Sequence, residues 1–497
     1  VIFFYTFCFC LNANAQDPFL SQADGAAQFL SPASVGNGLY QSRAQSNYRS
    51  QTMSGNSLYR TIVAGWDGRY KNKNEDVQNY LGLGGQIISD QVMNGILQTN
   101  YATINAAYHM YFDEKMQKEF KKPVRMTIFT WKGERDTVMS PRDSVIHHKW
   151  FLRSGLMSVD PKTGYIKAWV GGIDYKYFKY DHVRATRQVG STFKPFVYGT
   201  AIENGISPCD KILNQPVTIP RGMHGLEQAW TPKNSAKSPL DGEPLSLKMA
   251  LANSINSITA KIMKDFGPNA VIDLARRCGL SGAIEPVPSI CLGTPDVSLF
   301  EMVGAYSVFA NKGIYVQPTF ILRVEDKNGN VIYTPRPVRR EAMTEENAYK
   351  MLELLSGVAD YGERVNGKST FGTGVRLRSG RPYGGIPYDV KIAGKTGTTQ
   401  MQSDGWFMGI TPDLVSGAWV GCEDRAVRFR STNLGQGANT ALPIWGLYMK
   451  KVYADSTLGF SNTSFTPPEN KAISVELDCS KYDIENPELV PGNQYGF

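Results

Sequence analysis

Residues Gly190-Ser191-Thr192-Phe193-Lys194-Pro195 hold the only Ser-x-x-Lys of the chain. They open a segment that reads as a helix over 191–204 and stops at Gly205. Three residues is about one helical turn, so Lys194 projects from the same face as Ser191. A serine hydroxyl is a weak nucleophile until a base within hydrogen-bond reach removes its proton. Lysine serves as that base when burial or a neighbouring cation lowers its pKa toward neutrality. At a helix start the serine's own N–H is also free to stabilise an oxyanion. A lone Ser-x-x-Lys carries little weight, because a surface serine one turn from a solvated lysine is the commoner arrangement.

Two further elements supply context. Ser254-Ile255-Asn256 lies inside 245–264, which reads as helical. Lys395-Thr396-Gly397-Thr398-Thr399 follows Val390-Lys391-Ile392-Ala393 and precedes the apolar run 405–410, so it reads as a strand beside another strand. Decoys exist. Ser54-Gly55-Asn56 and Ser431-Thr432-Asn433 also fit Ser-x-Asn. Lys162-Thr163-Gly164 repeats Lys-Thr-Gly, but it lies between strand-like 155–159 and 165–170, has the composition of a hairpin turn, and precedes the serine. Order and context select the copy at 395–397.

Ser-x-x-Lys, Ser-x-Asn and Lys-Thr-Gly, in that order, resemble the signature of penicillin-binding proteins and serine β-lactamases. Arg187 through Tyr198 and Trp230-Thr231-Pro232-Lys233-Asn234 resemble class A penicillin-binding proteins, and the upstream stretch Pro123–Val183 resembles those of Bacteroidetes-type bacteria. Cys291-Leu292-Gly293, Val297 through Met302, Ala305-Tyr306 through Gly313, and Asp404 through Gly409 extend the likeness to about 123–453. It implies an α+β penicillin-binding transpeptidase fold, an antiparallel sheet flanked by helices, over 149–455.

The same resemblance implies residue roles. Ser191 attacks the penultimate D-alanine of a peptidoglycan stem peptide and Lys194 takes its proton. Ser254 relays a proton at the leaving or attacking nitrogen, and Asn256 holds Lys194 and the substrate amide. Lys395 directs positive charge to the terminal carboxylate, and Thr396, Thr398 and Thr399 line the substrate strand. Gly397 lets the substrate backbone lie close. The backbone N–H groups of Ser191 and Thr398 form the oxyanion hole. The implied activity is D,D-transpeptidation of D-Ala-D-Ala stems, with β-lactams as covalent inhibitors. A carboxypeptidase or β-lactam hydrolase with the same site is the alternative, disfavoured by the lack of a Glu-x-x-x-Asn between Asn256 and Lys395. A non-catalytic outer-membrane scaffold is a third reading.

The front of the chain has another character. Residues 1–11 are apolar and Ala13-Asn14-Ala15 is a small-x-small cleavage pattern, so 1–15 reads as a truncated signal peptide and implies export to the periplasm or cell envelope. Residues 16–114 are rich in Tyr, Gly, Asn, Gln and Ser, with alternating segments at 58–66, 83–88 and 103–112 that suit hairpins of a partial barrel. Gln16 through Gln22, Tyr48-Arg49-Ser50-Gln51 and Ala107 through Phe112 resemble the PorP/SprF family of the type IX secretion system, which implies membrane association. Residues 1–122 show no acidic pair followed by Phe and His, so glycosyltransferase activity is not expected. Residues 115–148 read as a linker and 456–497 as a polar, loosely attached tail.

The 497 residues are 42% apolar and carry a net charge of +8. That charge suits acidic stem peptides or plain solvated surface, and nothing points to nucleic acid. The five histidines, His147-His148 included, form no metal-ligand spacing, so no metal or cofactor is expected. Beyond Cys8 and Cys10 stand Cys209, Cys278, Cys291, Cys422 and Cys479, an odd set. Cys278 and Cys291 are the nearest in sequence, which does not by itself establish a bridge.

Overall fold

The computed structural model describes residues 42–53, 57–70, 80–92, 97–109, 114–235, 238–360, 362–365, 368–460, 464–468 and 473–486. The expected signal peptide, 1–15, lies outside them. The chain divides into two compact units, Val1–His148 and Lys149–Phe497.

In the first unit, strands β1 (Ser42–Met53), β2 (Ser57–Tyr70), β3 (Tyr80–Val92) and β4 (Leu97–His109) form an antiparallel meander. Period-2 alternation splits its side chains between two faces. One face exposes Ile62, Trp66, Ile87 (63%) and Ile104 (82%). The covered face includes Asp67, Gln86 and Asn105 beside Val63, Ile88 and Ala107. This is the reverse of the usual polar-out arrangement of a soluble sheet.

Residues 115–148 are not a linker. Helix α1 (Glu114–Phe120) leads into an antiparallel hairpin of β5 (Val124–Thr130) and β6 (Gly133–Met139), followed by α2 (Pro141–Lys149). His147 and His148 tie helix to hairpin. His147 Nε2 lies 2.8 Å from the Phe129 carbonyl, and the Phe129 N–H donates to His148 Nε2 at 3.5 Å. Ile128 and Phe129 supply its buried apolar contacts, and these hydrogen bonds add to them.

The second unit is built on a five-stranded antiparallel sheet of β7 (Arg153–Val159), β8 (Ile166–Val170), β9 (Ala393–Thr398), β10 (Asp404–Ile410) and β11 (Val415–Gly421), in the order β9-β10-β11-β7-β8. Both β10 and β11 are buried throughout, so both faces of the sheet are covered. Alternate residues serve two cores. Trp406, Met408, Val415 and Trp419 join one, and Phe407, Ala418 and Val420 join the other. Helices α3 (Lys194–Glu203), α4 (Leu247–Ala252), α5 (Asn256–Arg277), α6 (Leu299–Ala310) and α7 (Glu345–Asp360) contribute to the first core. Helix α8 (Ala441–Ala454) closes the second, with Trp445 edge-on to Phe407 at 5.1 Å. A Ser298–Glu301 capping box starts α6. Lys162-Thr163-Gly164 is the β7–β8 turn, as its composition predicted, with the Gly164 N–H donating to the Asp160 carbonyl at 2.8 Å.

Described parts of the C-terminal segment are docked rather than loose. Cys479, at the start of α9 (Cys479–Glu485), is disulfide-bonded to Cys209, 270 residues away. Tyr482 donates to Asp210 at 2.6 Å, and Lys211 pairs with Asp483 at 2.6 Å. Closing so long a loop is worth roughly 5 kcal/mol on the chain-entropy account, the top of the usual range. Cys278 and Cys291 are free and buried. They are near in sequence but belong to a core that uses each thiol as a small apolar group. The stretch 368–384 is partly pinned. Arg378 pairs with Asp360 at 2.7 Å and donates to the carbonyls of Ile386, Pro387 and Val390.

Candidate active site

Ser191 sits in a 3-10 turn, Gly190–Phe193, that runs directly into α3. Pro195 in the first turn of α3 suits a position whose N–H has no intrahelical acceptor. The turn is seated by glycines. Gly190 has φ +54°, and a Cβ there would lie 2.7 Å from the Thr398 carbonyl oxygen. Its N–H donates to the Gly293 carbonyl at 3.0 Å, and a Cβ on Gly293 would overlap the Gly190 carbonyl. Tyr306 donates to the Thr192 carbonyl at 2.6 Å from below. Ser191 is thereby half-exposed above a buried support.

Lys194 is 0% exposed. Its Nζ donates to the Ser254 carbonyl at 2.6 Å, Asn256 Oδ1 at 2.7 Å and Ser254 Oγ at 3.3 Å. Lys395, also 0% exposed, donates to Ser254 Oγ at 2.9 Å and the Thr396 carbonyl at 3.1 Å. The structure thus gathers Lys194, Ser254, Asn256 and Lys395 into one hydrogen-bonded cluster, one turn from Ser191. Neither lysine has an ion pair among the described residues. Burial pushes the Lys194 pKa down to about 7. The Cys291 thiol, itself pushed up to about 12 by burial, stays neutral and offers no counter-charge. Burial and then the charge of Lys194 hold Lys395 well below its usual range. Both causes disfavour the charged form of Lys395.

Ser254 is not inside a helix. Helix α4 ends in a Schellman motif, with Ile255 N–H donating to the Ala250 carbonyl and Ser254 N–H to the Leu251 carbonyl. Ser254 takes the left-handed position at φ +57°, where glycine is the usual residue. The non-glycine conformation costs about 1–2 kcal/mol. The break frees the Ser254 carbonyl from helical pairing and turns it to Lys194. No Gly or Pro marks it, so the apolar periodicity ran through it unbroken.

Helix α5 then starts at Asn256 without a cap from its own preceding residue. Asn234 supplies it from a distance. Its Oδ1 accepts the N–H groups of Asn256 at 2.9 Å and Ser257 at 3.2 Å, and its Nδ2 donates to Asn214 Oδ1 at 3.1 Å. The Lys233 carbonyl accepts from Asn256 Nδ2 at 2.8 Å, which leaves Asn256 Oδ1 facing Lys194. Sequence reading quoted Asn234 only as part of a similar block and gave it no role.

Strand β9 places the remaining predicted residues unequally. Thr396 Oγ1 donates to Thr373 Oγ1 at 2.7 Å, and Thr398 Oγ1 accepts from the Gly437 N–H at 3.0 Å. Thr399 does not line the substrate strand. It is buried in the β9–β10 turn, where its hydroxyl meets Ser403 Oγ at 2.9 Å and accepts the Asp404 N–H at 2.9 Å. Gly397 makes room inward. A Cβ there would meet the Val189 carbonyl at 2.7 Å and Thr192 Cγ2 at 2.9 Å, both in the nucleophile segment.

Residues 155–417 match the penicillin-binding protein transpeptidase domain. The chain belongs to that family. Residues 90–152 match the penicillin-binding protein middle domain, which reaches back into β3 and β4. Penicillin-binding protein 1A of Aquifex aeolicus is 32% identical over 331 residues, 65% of this chain and 41% of that protein. Penicillin-binding protein 2D of Bacillus subtilis is 31% identical over 320 residues, 64% of this chain and 43% of that protein. The chain thus spans about two fifths of these curated relatives. A crystal structure of penicillin-binding protein 1A from Haemophilus influenzae aligns with TM-score 0.57 at 23% identity, covering 73% of this chain and 62% of that one. PonA1 of Mycobacterium tuberculosis, solved with penicillin V, aligns at 0.52 and 22%, covering 73% and 94%. These likenesses establish the penicillin-binding transpeptidase fold.

Replacing Asn234 with Ala is expected to destabilise the second unit by about 1–2 kcal/mol, the usual scale for a lost helix cap. Asn234→Asp keeps the acceptor but loses the Nδ2 donation to Asn214 and faces Asp241, so it should recover only part of that stability. Denaturant unfolding followed by tryptophan fluorescence checks both; equal midpoints for wild type and Asn234→Ala would refute the cap.

Proposed function

We propose that this penicillin-binding transpeptidase domain is an active D,D-transpeptidase of class A type, acylated by β-lactams at Ser191. The observation that carries the reading is the buried Lys194, with its pKa brought to about 7, one helical turn from Ser191 and held by Ser254 and Asn256.

Neutral Lys194 removes the Ser191 proton as Oγ attacks the carbonyl of the penultimate D-alanine. The N–H groups of Ser191 and Thr398 stabilise the oxyanion. The C–N bond breaks, and the Lys194 proton passes through Ser254 to the departing D-alanine nitrogen. An amine from a neighbouring stem attacks the ester. Its proton returns through Ser254, the C–O bond breaks, and Ser191 recovers its hydrogen. Lys395 takes up a proton as the substrate carboxylate arrives, since an anion offsets both causes of its depressed pKa.

A fluorescent penicillin should label the chain stably and leave Ser191→Ala unlabelled on a denaturing gel. The labelling rate should rise with pH through about 7 and then level, because only the neutral amine accepts the proton. Steady hydrolysis of the penicillin would favour the β-lactamase alternative, and label retained by Ser191→Ala would refute the assigned nucleophile.

We place the chain in the cell envelope and assign β1–β4 to a PorP/SprF-like segment. The apolar exposed face over a covered face with Asp67, Gln86 and Asn105 supports this, because lipid-facing strands alternate that way. The purified chain should co-float with phospholipid vesicles, and Ile87→Lys with Ile104→Lys should abolish flotation. Flotation unchanged by the pair would contradict the placement.

A further inference from the structure

A second cleft lies at the other end of the row of residues that seats the nucleophile. The register aligns Gly397, Trp406, Trp419 and Gly155 across β9, β10, β11 and β7. Adjacent strands are ~4.8 Å apart, so Gly155 stands about 14 Å from Gly397 across the sheet. The chain leading to Ser191 follows this row. Gly190 packs on Thr398, and the Gln188 carbonyl accepts from Trp406 Nε1 at 2.8 Å. The Arg187 guanidinium stands 5.0 Å from the Trp419 ring, and His182 backbone packs on Gly155.

Around His182 this layer opens into a cleft of about 400 Å3. Arg153, Lys179, Arg187 and Arg425 line it, against the single carboxylate of Glu423. Glu423 pairs with Arg153 at 3.5 Å, and Arg425 pairs with Asp296. Even with both pairs formed, positive charge remains in excess. The His182 ring is 3% exposed and stacked on Trp419 with centroids 4.8 Å apart. Its Nδ1 is buried without a hydrogen-bond partner among the described residues. Burial, then the charges of Arg187 and Arg153, hold the His182 pKa down at about 4, so the ring is neutral near pH 7. A buried polar atom left unpaired is unfavourable. Here it borders a cationic, aromatic-walled opening, where a ligand oxygen is the complementary group. Arginine forks match carboxylates, and the Tyr177 and Tyr180 rings that line the cleft suit the apolar part of a chain.

We propose that this cleft is a second anchoring subsite, which binds a carboxylate-bearing segment of the peptide or glycopeptide strand whose D-alanyl end reaches Ser191. The inference rests on the transpeptidase reading for the identity of the strand, and on the cleft alone for its charge. A penicillin occupies only the Ser191 end, so it can block that end while the cleft stays open.

The test uses the full chain acylated with penicillin and soluble, uncross-linked peptidoglycan strands carrying free carboxylates. The blocked chain should still bind them, and affinity should fall at least tenfold in the double variant Lys179→Glu, Arg425→Glu. Binding by the unaltered blocked chain should also weaken steeply between 50 and 300 mM salt, about as expected of screened charges. Loss of all binding on acylation, equal affinity in the double variant, or salt-independent binding would overturn the subsite. Should penicillin fail to label Ser191, the transpeptidase reading falls, and strand binding by the unlabelled chain and its double variant decides the cleft separately.

Discussion

Two lysine side chains are buried against one serine hydroxyl, and the arrangement of the second unit follows from that constraint. Lys194 and Lys395 are both fully buried and meet at the hydroxyl of Ser254. Their partners are neutral oxygens, so no carboxylate among the described residues offsets either charge. Two ammonium groups in such surroundings repel strongly and lose hydration, and the cluster is relieved by shedding a proton. An amine with a free lone pair beside a serine is the result. Here the desolvation that usually weakens a fold produces the base the chemistry requires.

Holding the lysines there demands rigid, mutually seated elements. The doubly covered sheet fixes Lys395 on β9, and the turn before α3 fixes Lys194 relative to Ser191. The left-handed Ser254 turns both a carbonyl and a hydroxyl toward the amines, and the strain is borne by α4, α5 and Asn234. Contacts at Gly190, Gly293 and Gly397 let the nucleophile segment lie flat against the sheet end. Strain of this kind persists where surrounding packing over-determines the backbone.

Much of this was legible in the sequence, and the rest was hidden for physical reasons. Motif order separated Lys395-Thr396-Gly397 from the hairpin copy at Lys162, because strand periodicity and turn composition are local signals. The helix break at Ser254 was not legible, since a serine in the left-handed region leaves no compositional mark. Asn234 caps a helix whose first residue lies far along the chain, and the Cys209–Cys479 bridge spans most of the unit. Neither follows from spacing. Alternation at 58–66 and 83–88 falls within β2 and β3, and that at 103–112 falls on β4 as far as 109, its last described residue, whereas β1 carried no such reading; which face is covered depends on packing. Thr399 was assigned to substrate by analogy along the strand; its contacts belong to the turn instead.

The central claim is that Lys194 gives up its proton near pH 7 because it is fully buried. Carbon-13 labelling of lysine Cε, with Lys194→Ala to assign the resonance, measures this directly by nuclear magnetic resonance. The account predicts that the Lys194 signal titrates near pH 7. A signal that keeps its charged-form shift until the ordinary lysine range, about pH 10, would contradict it.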